Sequence, residues 1–312
     1  MRPPSRVSIS SILTPAAFKS LLVSSQTPVI PLDATWYLPN VGRNGKEEFL
    51  LERIPGARFF DIDEVKDASS PYPHMLPSTE VFNKAMSDLG ITREVEHIWM
   101  DTLVVYDKQG NFSAPRLLWT LKIFQHPSIF ILDNYPLYKQ EGYEIETKRL
   151  SAVEEAIPAQ STYESPGAIE DRVVTYSDLR QVIIEPLFRK KFNIIDARPY
   201  SRWTGDAPEP RPGLPSGHLP DSIPIPFNEV LEEGTKEFKS SSKLQELFLA
   251  KGLDPDKPII AMCGTGVTAC VLETALGKSG LLREDKPVMV YDGSWTEWAQ
   301  RSDDKLIIKG RQ

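Results

Sequence analysis

One of the chain's two cysteines stands in "AMCGTGVTACVLETAL" (261–276), between an apolar run and an apolar stretch of helical character. The pattern predicts a buried strand ending at Cys263, a tight loop through Gly264, Thr265, Gly266, Val267 and Thr268, and a helix from there onward. In an open parallel sheet, sites form beyond the carboxyl ends of strands, where the following helix turns its N-terminus towards the ligand. Two glycines and small side chains let the loop N–H groups converge on one centre, and such a nest favours an anion. The nearest anion is the Cys263 thiolate. In this context Cys263 reads as a reactive nucleophile, although a free cysteine is more often a small buried apolar residue. Cys270, inside the apolar helix, reads as that buried residue, and no disulfide between the two is expected.

Two chemistries use a cysteine in such a loop. A cysteine-dependent phosphatase needs an arginine closing the loop, whose planar fork grips phosphate oxygens. The closing positions here are Thr268 and Ala269. Without that arginine, sulfur transfer through a persulfide on Cys263 is the better account.

The elements that must position this loop occur twice along the chain, a duplication signal. "VIPLDA" (29–34), a long loop and "RIPGARFFDIDEV" (53–65) match "FNIIDAR" (192–198), a long loop and "GHLPDSIPIPFNEV" (217–230). Serine-capped helices closed by glycine follow in both halves, "STEVFNKAMSDLG" (78–90) and "SSSKLQELFLAKG" (240–252). The strands "TLVVYD" (102–107) and "PIIAM" (258–262) then lead through tight loops into helices, and "SIFILD" (128–133) and "PVMVYD" (287–292) close each half. Alternating short strands and helices predict an α/β fold of two tandem domains, each a mostly parallel sheet flanked by helices. The expected boundaries are 8–150 for the first domain, a polar surface linker over 151–172, and 173–312 for the second.

Composition narrows the classes. With 312 residues, 40% hydrophobic and 25% charged, the chain can build two separate cores. A net charge of −7 supplies no basic field for direct nucleic-acid binding. No apolar run reaches membrane-spanning length. Two cysteines cannot make a disulfide framework and no Cys/His cluster has zinc spacing, so a reducing, cytoplasmic setting fits, with no metal. The first 32 residues lack Asp and Glu and carry Arg2, Arg6 and Lys19, a weak likeness to a mitochondrial targeting segment. Thr14-Pro15 before "AAFKSLL" reads instead as the cap and first turn of a helix of the fold.

With "CGTGVTAC", "YDGSW" (291–295) and "SAPR" (113–116), nearly the whole chain resembles the rhodanese superfamily, in its tandem-domain 3-mercaptopyruvate sulfurtransferase branch. That resemblance implies two rhodanese-like domains, of which the first is catalytically silent, since Asp107 stands where Cys263 stands in the second. The family usually carries serine where this chain has Thr265, which keeps the hydroxyl. Relatives preferring thiosulfate place basic residues after the cysteine, whereas Gly264 and Thr265 are neutral, which favours mercaptopyruvate.

A donor bearing a carboxylate and a ketone calls for cationic forks, and "DARPYSRWTGDAPEPRPGLPSGHLP" (196–220) offers Arg198, Arg202 and Arg211 in a proline-stiffened loop. By resemblance, Arg202 and Arg211 bind substrate, and Arg198 has a structural partner, in the sheet edge or the linker. Gly264, Gly266, Val267 and Thr268 would line the substrate side of the loop. Asp63 and His74 match a carboxylate and imidazole that, with the Thr265 hydroxyl, relay a proton from the incoming thiol. Trp36 and Tyr37 fit either the same cleft or core packing. The resemblance implies no cofactor, 3-mercaptopyruvate as donor, and thiol acceptors such as thioredoxin or a protein cysteine, or else cyanide. It also implies alternatives: thiosulfate as donor, or a protein-to-protein relay feeding tRNA thiolation, with a cysteine desulfurase and a sulfur-carrier activating protein as partners. A non-catalytic module would instead carry an unreactive Cys263.

Overall fold

The computed structural model describes residues 11–93, 100–157, 159, 161–283 and 285–310; Arg2 and Arg6 lie outside them. Contacts divide the chain into two compact units, one comprising the residues up to Asp67 together with Pro77–Ile169, the other comprising Ala68–Leu76 and the residues from Glu170 onward. The short segment holding His74 thus packs with the second unit although it lies within the first half of the sequence.

The first unit has β1 (Ser11–Leu13), β2 (Val29–Asp33), β3 (Arg58–Phe59), β4 (Thr102–Tyr106) and β5 (Ile129–Leu132), in the order β1-β5-β4-β2-β3. Its helices are α1 (Pro15–Ser24), α2 (Gly45–Leu51), α3 (Thr79–Asp88), α4 (Ala114–Ile123) and α5 (Tyr135–Gln140). The second unit repeats the plan with β6 (Val173–Val174), β7 (Asn193–Asp196), β8 (Ile223–Pro224), β9 (Ile259–Met262) and β10 (Val288–Tyr291), in the order β6-β10-β9-β7-β8. Its helices are α6 (Tyr176–Ile184), α7 (Pro186–Arg189), α8 (Tyr200–Thr204), α9 (Ser241–Ala250), α10 (Ala269–Ser279) and α11 (Ser294–Arg301). Every pairing between these strands is parallel, as the alternation of strands and helices predicts.

The expected caps form. Thr14 accepts from the Ala17 N–H at 3.2 Å with Pro15 opening α1, so this stretch is the first helix of the fold. Ser78 and Ser240 cap α3 and α9, and Gly90 and Gly252 close them in the left-handed region. All five residues of β4 and all four of β9 are buried, because helices cover both faces of each sheet. Met262 at the end of β9 packs in the second core with Ile194, Leu219, Trp295 and Trp298. That core brings the end of β9 against the start of α11.

Residues 161–169 belong to the first unit, where Tyr163 is buried, its hydroxyl 2.9 Å from His126 Nδ1. Among the described residues no helix is long and apolar enough to cross a membrane, and no group of three His, Cys, Asp or Glu gathers as a metal site.

Candidate active site

Cys263 is the first residue after β9, and only 2% of it is exposed. Its backbone is held from two sides by the first turn of α11. The Cys263 N–H donates to Ser294 Oγ at 3.1 Å, and that hydroxyl donates to the Tyr291 carbonyl at 2.9 Å. The Cys263 carbonyl accepts from the Trp295 N–H at 2.9 Å. One residue on, the Gly264 carbonyl accepts from both the N–H and the hydroxyl of Thr296, at 2.9 and 2.8 Å. Clamping the carbonyls of residues 263 and 264 fixes how the chain leaves the strand and so how the loop curls over the α10 N-terminus.

Gly266 sits at φ 78°, a conformation that glycine adopts without the steric cost of a side chain. Thr265 and Val267 are buried, whereas Gly264 and Thr268 are partly open. Among the described residues the Thr265 hydroxyl makes no hydrogen bond, and a Cβ at Gly264 would meet nothing within 4 Å. Cys270 is fully buried in α10, with Sγ 3.3 Å from the Gly266 carbonyl, a buried packing residue as its place in the helix predicts.

What such a loop can hold is visible in the first unit. Asp107, the first residue after β4, turns its carboxylate into the loop leading to α4. Its Oδ2 accepts from the N–H groups of Phe112, Ser113 and Ala114 at 2.8, 2.9 and 2.8 Å, and Oδ1 from that of Gln109 at 2.9 Å. Burial pushes the Asp107 carboxyl up, and the four amide donors work against it. The turn from strand to helix in this architecture is therefore an anion nest, filled in the first unit by its own side chain. In the second unit the equivalent position is the Cys263 thiol.

The arginines divide into two kinds. Arg198 is buried, and its guanidinium donates to both Asp196 oxygens, to Glu209 Oε1 at 2.8 Å and to the Gly217 carbonyl at 2.7 Å. Its expected structural partner is thus Asp196 on β7, an interior strand, together with Glu209, rather than the sheet edge or the linker. Burial alone would lower the affinity of this guanidinium for its proton, but the two carboxylates hold it above its ordinary value. Arg202, on α8, and Arg211 are half-buried. Among the described residues no ion pair closes on Arg202; burial pushes the neighbouring Glu209 carboxyl up, and Arg198 and Arg202 both pull it back.

The loop carrying them is tied to the cysteine loop by Trp295, whose indole N–H donates to the Pro215 carbonyl at 2.8 Å while its ring lies under Arg198, 4.0 Å from the guanidinium carbon. The structure therefore brings Cys263, its loop and the arginine loop onto one framework.

His74 is buried with a left-handed backbone, φ 62°. Its segment is anchored in the second unit where the Leu76 N–H donates to Asp292 Oδ2 at 2.7 Å, two residues before Ser294. Asp63 belongs to the first unit and is exposed, and its carboxylate accepts from the Trp36 indole N–H at 2.8 Å. Trp36 stacks on Phe112, and the Tyr37 hydroxyl donates to Glu48 at 2.7 Å, so both pack within the first unit. Sequence reasoning passed over Ser294 and Trp295 as working residues; their signal was "GSW" directly after a buried strand.

The rhodanese-like domain family matches residues 179–301. "Probable 3-mercaptopyruvate sulfurtransferase" of Schizosaccharomyces pombe is 41% identical, with 97% of each chain covered. "Thiosulfate sulfurtransferase TUM1" of Saccharomyces cerevisiae is 39% identical, over 96% of this chain and 98% of that one. The crystal structure of the Tum1 protein from that yeast superposes with a TM-score of 0.88 at 38% identity, over 97% of this chain and 99% of the other. Two parallel-sheet halves, a cysteine where the first unit's loop carries Asp107, and relatives of this similarity along the whole length agree: the chain belongs to the rhodanese superfamily, in the family of two-domain thiosulfate/3-mercaptopyruvate sulfurtransferases.

Proposed function

We propose that the protein moves sulfane sulfur from 3-mercaptopyruvate, through a persulfide on Cys263, to a thiol acceptor. The observation that carries this reading is the pairing of the two loops: the first unit's loop gathers four N–H groups on a carboxylate, and the second presents a thiol at the same place. A ring of amides that holds a carboxylate also stabilises a thiolate and the persulfide anion that replaces it.

The reaction has two steps. The Cys263 thiolate attacks the donor sulfur, forming an S–S bond as the carbon–sulfur bond breaks, and the electron pair leaves on carbon as the enolate of pyruvate. The proton of the incoming thiol passes to that carbon, which gives pyruvate and a Cys263 persulfide. Thr265, His74 and Asp63 are the groups we assign to this proton relay. Arg202 and Arg211 hold the donor carboxylate and ketone, and Gly264, Gly266, Val267 and Thr268 line the nest. An acceptor thiolate, from thioredoxin or a protein cysteine, or cyanide, then takes the outer sulfur and restores the Cys263 thiolate.

The name of the yeast relative favours a second reading, in which thiosulfate supplies the sulfur. A protein-to-protein relay, loaded by a cysteine desulfurase and serving tRNA thiolation in the cytoplasm or mitochondrion, uses the same persulfide. Parallel assays with 3-mercaptopyruvate, thiosulfate and a persulfide-bearing desulfurase rank the donors, and mercaptopyruvate is expected first. Cys263→Ser should abolish turnover and the mass gain of one sulfur atom, whereas Cys270→Ser should keep substantial activity. The reverse pattern would remove Cys263 as the sulfur carrier.

A further inference from the structure

We propose that Arg198 is a positioning residue for the donor: by bracing the arginine loop against Trp295 it sets the distance between the carboxylate-binding arginines and Cys263. This rests on the reading that Arg202 and Arg211 hold the donor. Arg198 is held at three points of one long loop, at its start by Asp196, in its middle by Glu209 and near its end by the Gly217 carbonyl. Arg202 and Arg211 lie between those points. The flat face of the same guanidinium rests on Trp295, 4.0 Å away.

Trp295 binds both loops, with its backbone N–H on the Cys263 carbonyl at 2.9 Å and its indole N–H on the Pro215 carbonyl at 2.8 Å. A buried cation between two carboxylates is a poor way to gain stability, because desolvation offsets the attraction. It is a good way to hold geometry, since a planar fork with five donors allows one orientation where a lysine ammonium allows many. Glu209 extends the brace, as its carboxylate lies in the field of both Arg198 and Arg202.

The test is single-turnover formation of the Cys263 persulfide against 3-mercaptopyruvate concentration, followed by mass spectrometry. Arg198→Lys keeps the charge and loses the fork. Trp295→Phe keeps an aromatic face under Arg198 and the backbone N–H but loses the indole N–H to Pro215 and part of the ring's buried volume, so it carries the test should Arg198→Lys fail to fold. For both, the half-saturating donor concentration should rise about 10-fold, a modest cost for misplacing a binding group. Alkylation of Cys263 by neutral iodoacetamide should stay within about twofold of the parent, because the thiol itself is undisturbed. Against an Arg202→Ala/Arg211→Ala background, neither change should weaken donor binding further.

An unchanged half-saturation, a parallel loss of alkylation rate, or a further loss in that background would each overturn the positioning role. If Arg202→Ala/Arg211→Ala itself left half-saturation unchanged, the donor reading would fall first and the positioning role with it.

Discussion

The backbone N–H of Cys263 donates to the hydroxyl of Ser294 at 3.1 Å, and Ser294 reaches that position only by adopting φ 49°, a left-handed conformation that costs a serine about 1 kcal/mol or more. The hydroxyl is thus held at a backbone cost next to the nucleophile. Ser294→Gly should relieve the backbone and lose the acceptor, whereas Ser294→Ala should lose the acceptor and keep the strain. An unsatisfied buried N–H costs about 1 to 3 kcal/mol in both variants. Because Ala also keeps the left-handed strain that Gly relieves, Ser294→Ala should be the less stable of the two in urea unfolding, and both should load sulfur more slowly than the parent. Equal stability of all three proteins would show that neither the strain nor the hydrogen bond matters.

The strand-loop-helix at Cys263 was legible because the signals that define its elements are local: β9 is a continuous buried run, the glycines mark the turn, and α10 follows at once, whereas the clamps from α11 on residues 263 and 264 are not. The duplicated order of elements was legible for the same reason, and the two sheets share one strand order. What was not legible depends on partners distant in the chain. Arg198 finds Glu209 and Trp295, and Leu76 finds Asp292 across more than two hundred residues, which is why the His74 segment packs with the second unit. Tyr163 likewise lies in a stretch whose polar, proline-containing sequence reads as surface linker, yet it is buried against Phe82 and His126. No local period announces such pairings.

His74→Ala should slow persulfide formation from 3-mercaptopyruvate by about 10²-fold, at the low end for a positioned acid or base, without preventing it, since a relay moves a proton and carries no sulfur. Loading from a persulfide donor, which brings no thiol proton to the carbon, should be affected far less. Equal slowing with both donors would make His74 a structural residue.

Asp33 gives the first unit a distinct pH signature. Burial pushes its carboxyl up from 3.8 to about 6, with Lys108 and the Thr35 hydrogen bonds pulling it back. The folded chain therefore holds this proton more tightly than the unfolded chain. The resulting stability is fully present below about pH 4 and is lost as pH rises through about 6, a change of roughly 3 kcal/mol at most. Asp33→Asn keeps the oxygen that accepts from the Thr35 N–H at 2.9 Å and cannot titrate. The loss of stability between pH 4 and pH 8 should shrink by that amount in the variant, measured by urea midpoints, and an identical loss in both proteins would contradict the assignment.

Donor choice tests the division of labour between the two loops. Thiosulfate is a compact dianion that gains from cations in the first turn after the nucleophile, whereas 3-mercaptopyruvate carries its charge on a carboxylate several bonds from the sulfur. With Gly264 and Thr265 neutral, kcat/KM should favour 3-mercaptopyruvate. Arg202→Ala or Arg211→Ala should injure that donor selectively; a charge-assisted contact of about 1.5 to 3 kcal/mol corresponds to roughly 10- to 150-fold for each arginine. The two loop positions differ in what they tolerate. Gly264 has open space where a side chain would start, so Gly264→Arg should fold normally and move the preference towards thiosulfate. Thr265 is only 6% exposed, so Thr265→Lys would have to bury an ammonium or open the loop, and should cost stability before it changes specificity. If wild type already preferred thiosulfate, or if either arginine deletion harmed both donors equally, the arginines would not be the carboxylate holders and the charge of the cysteine loop would not be what selects the donor.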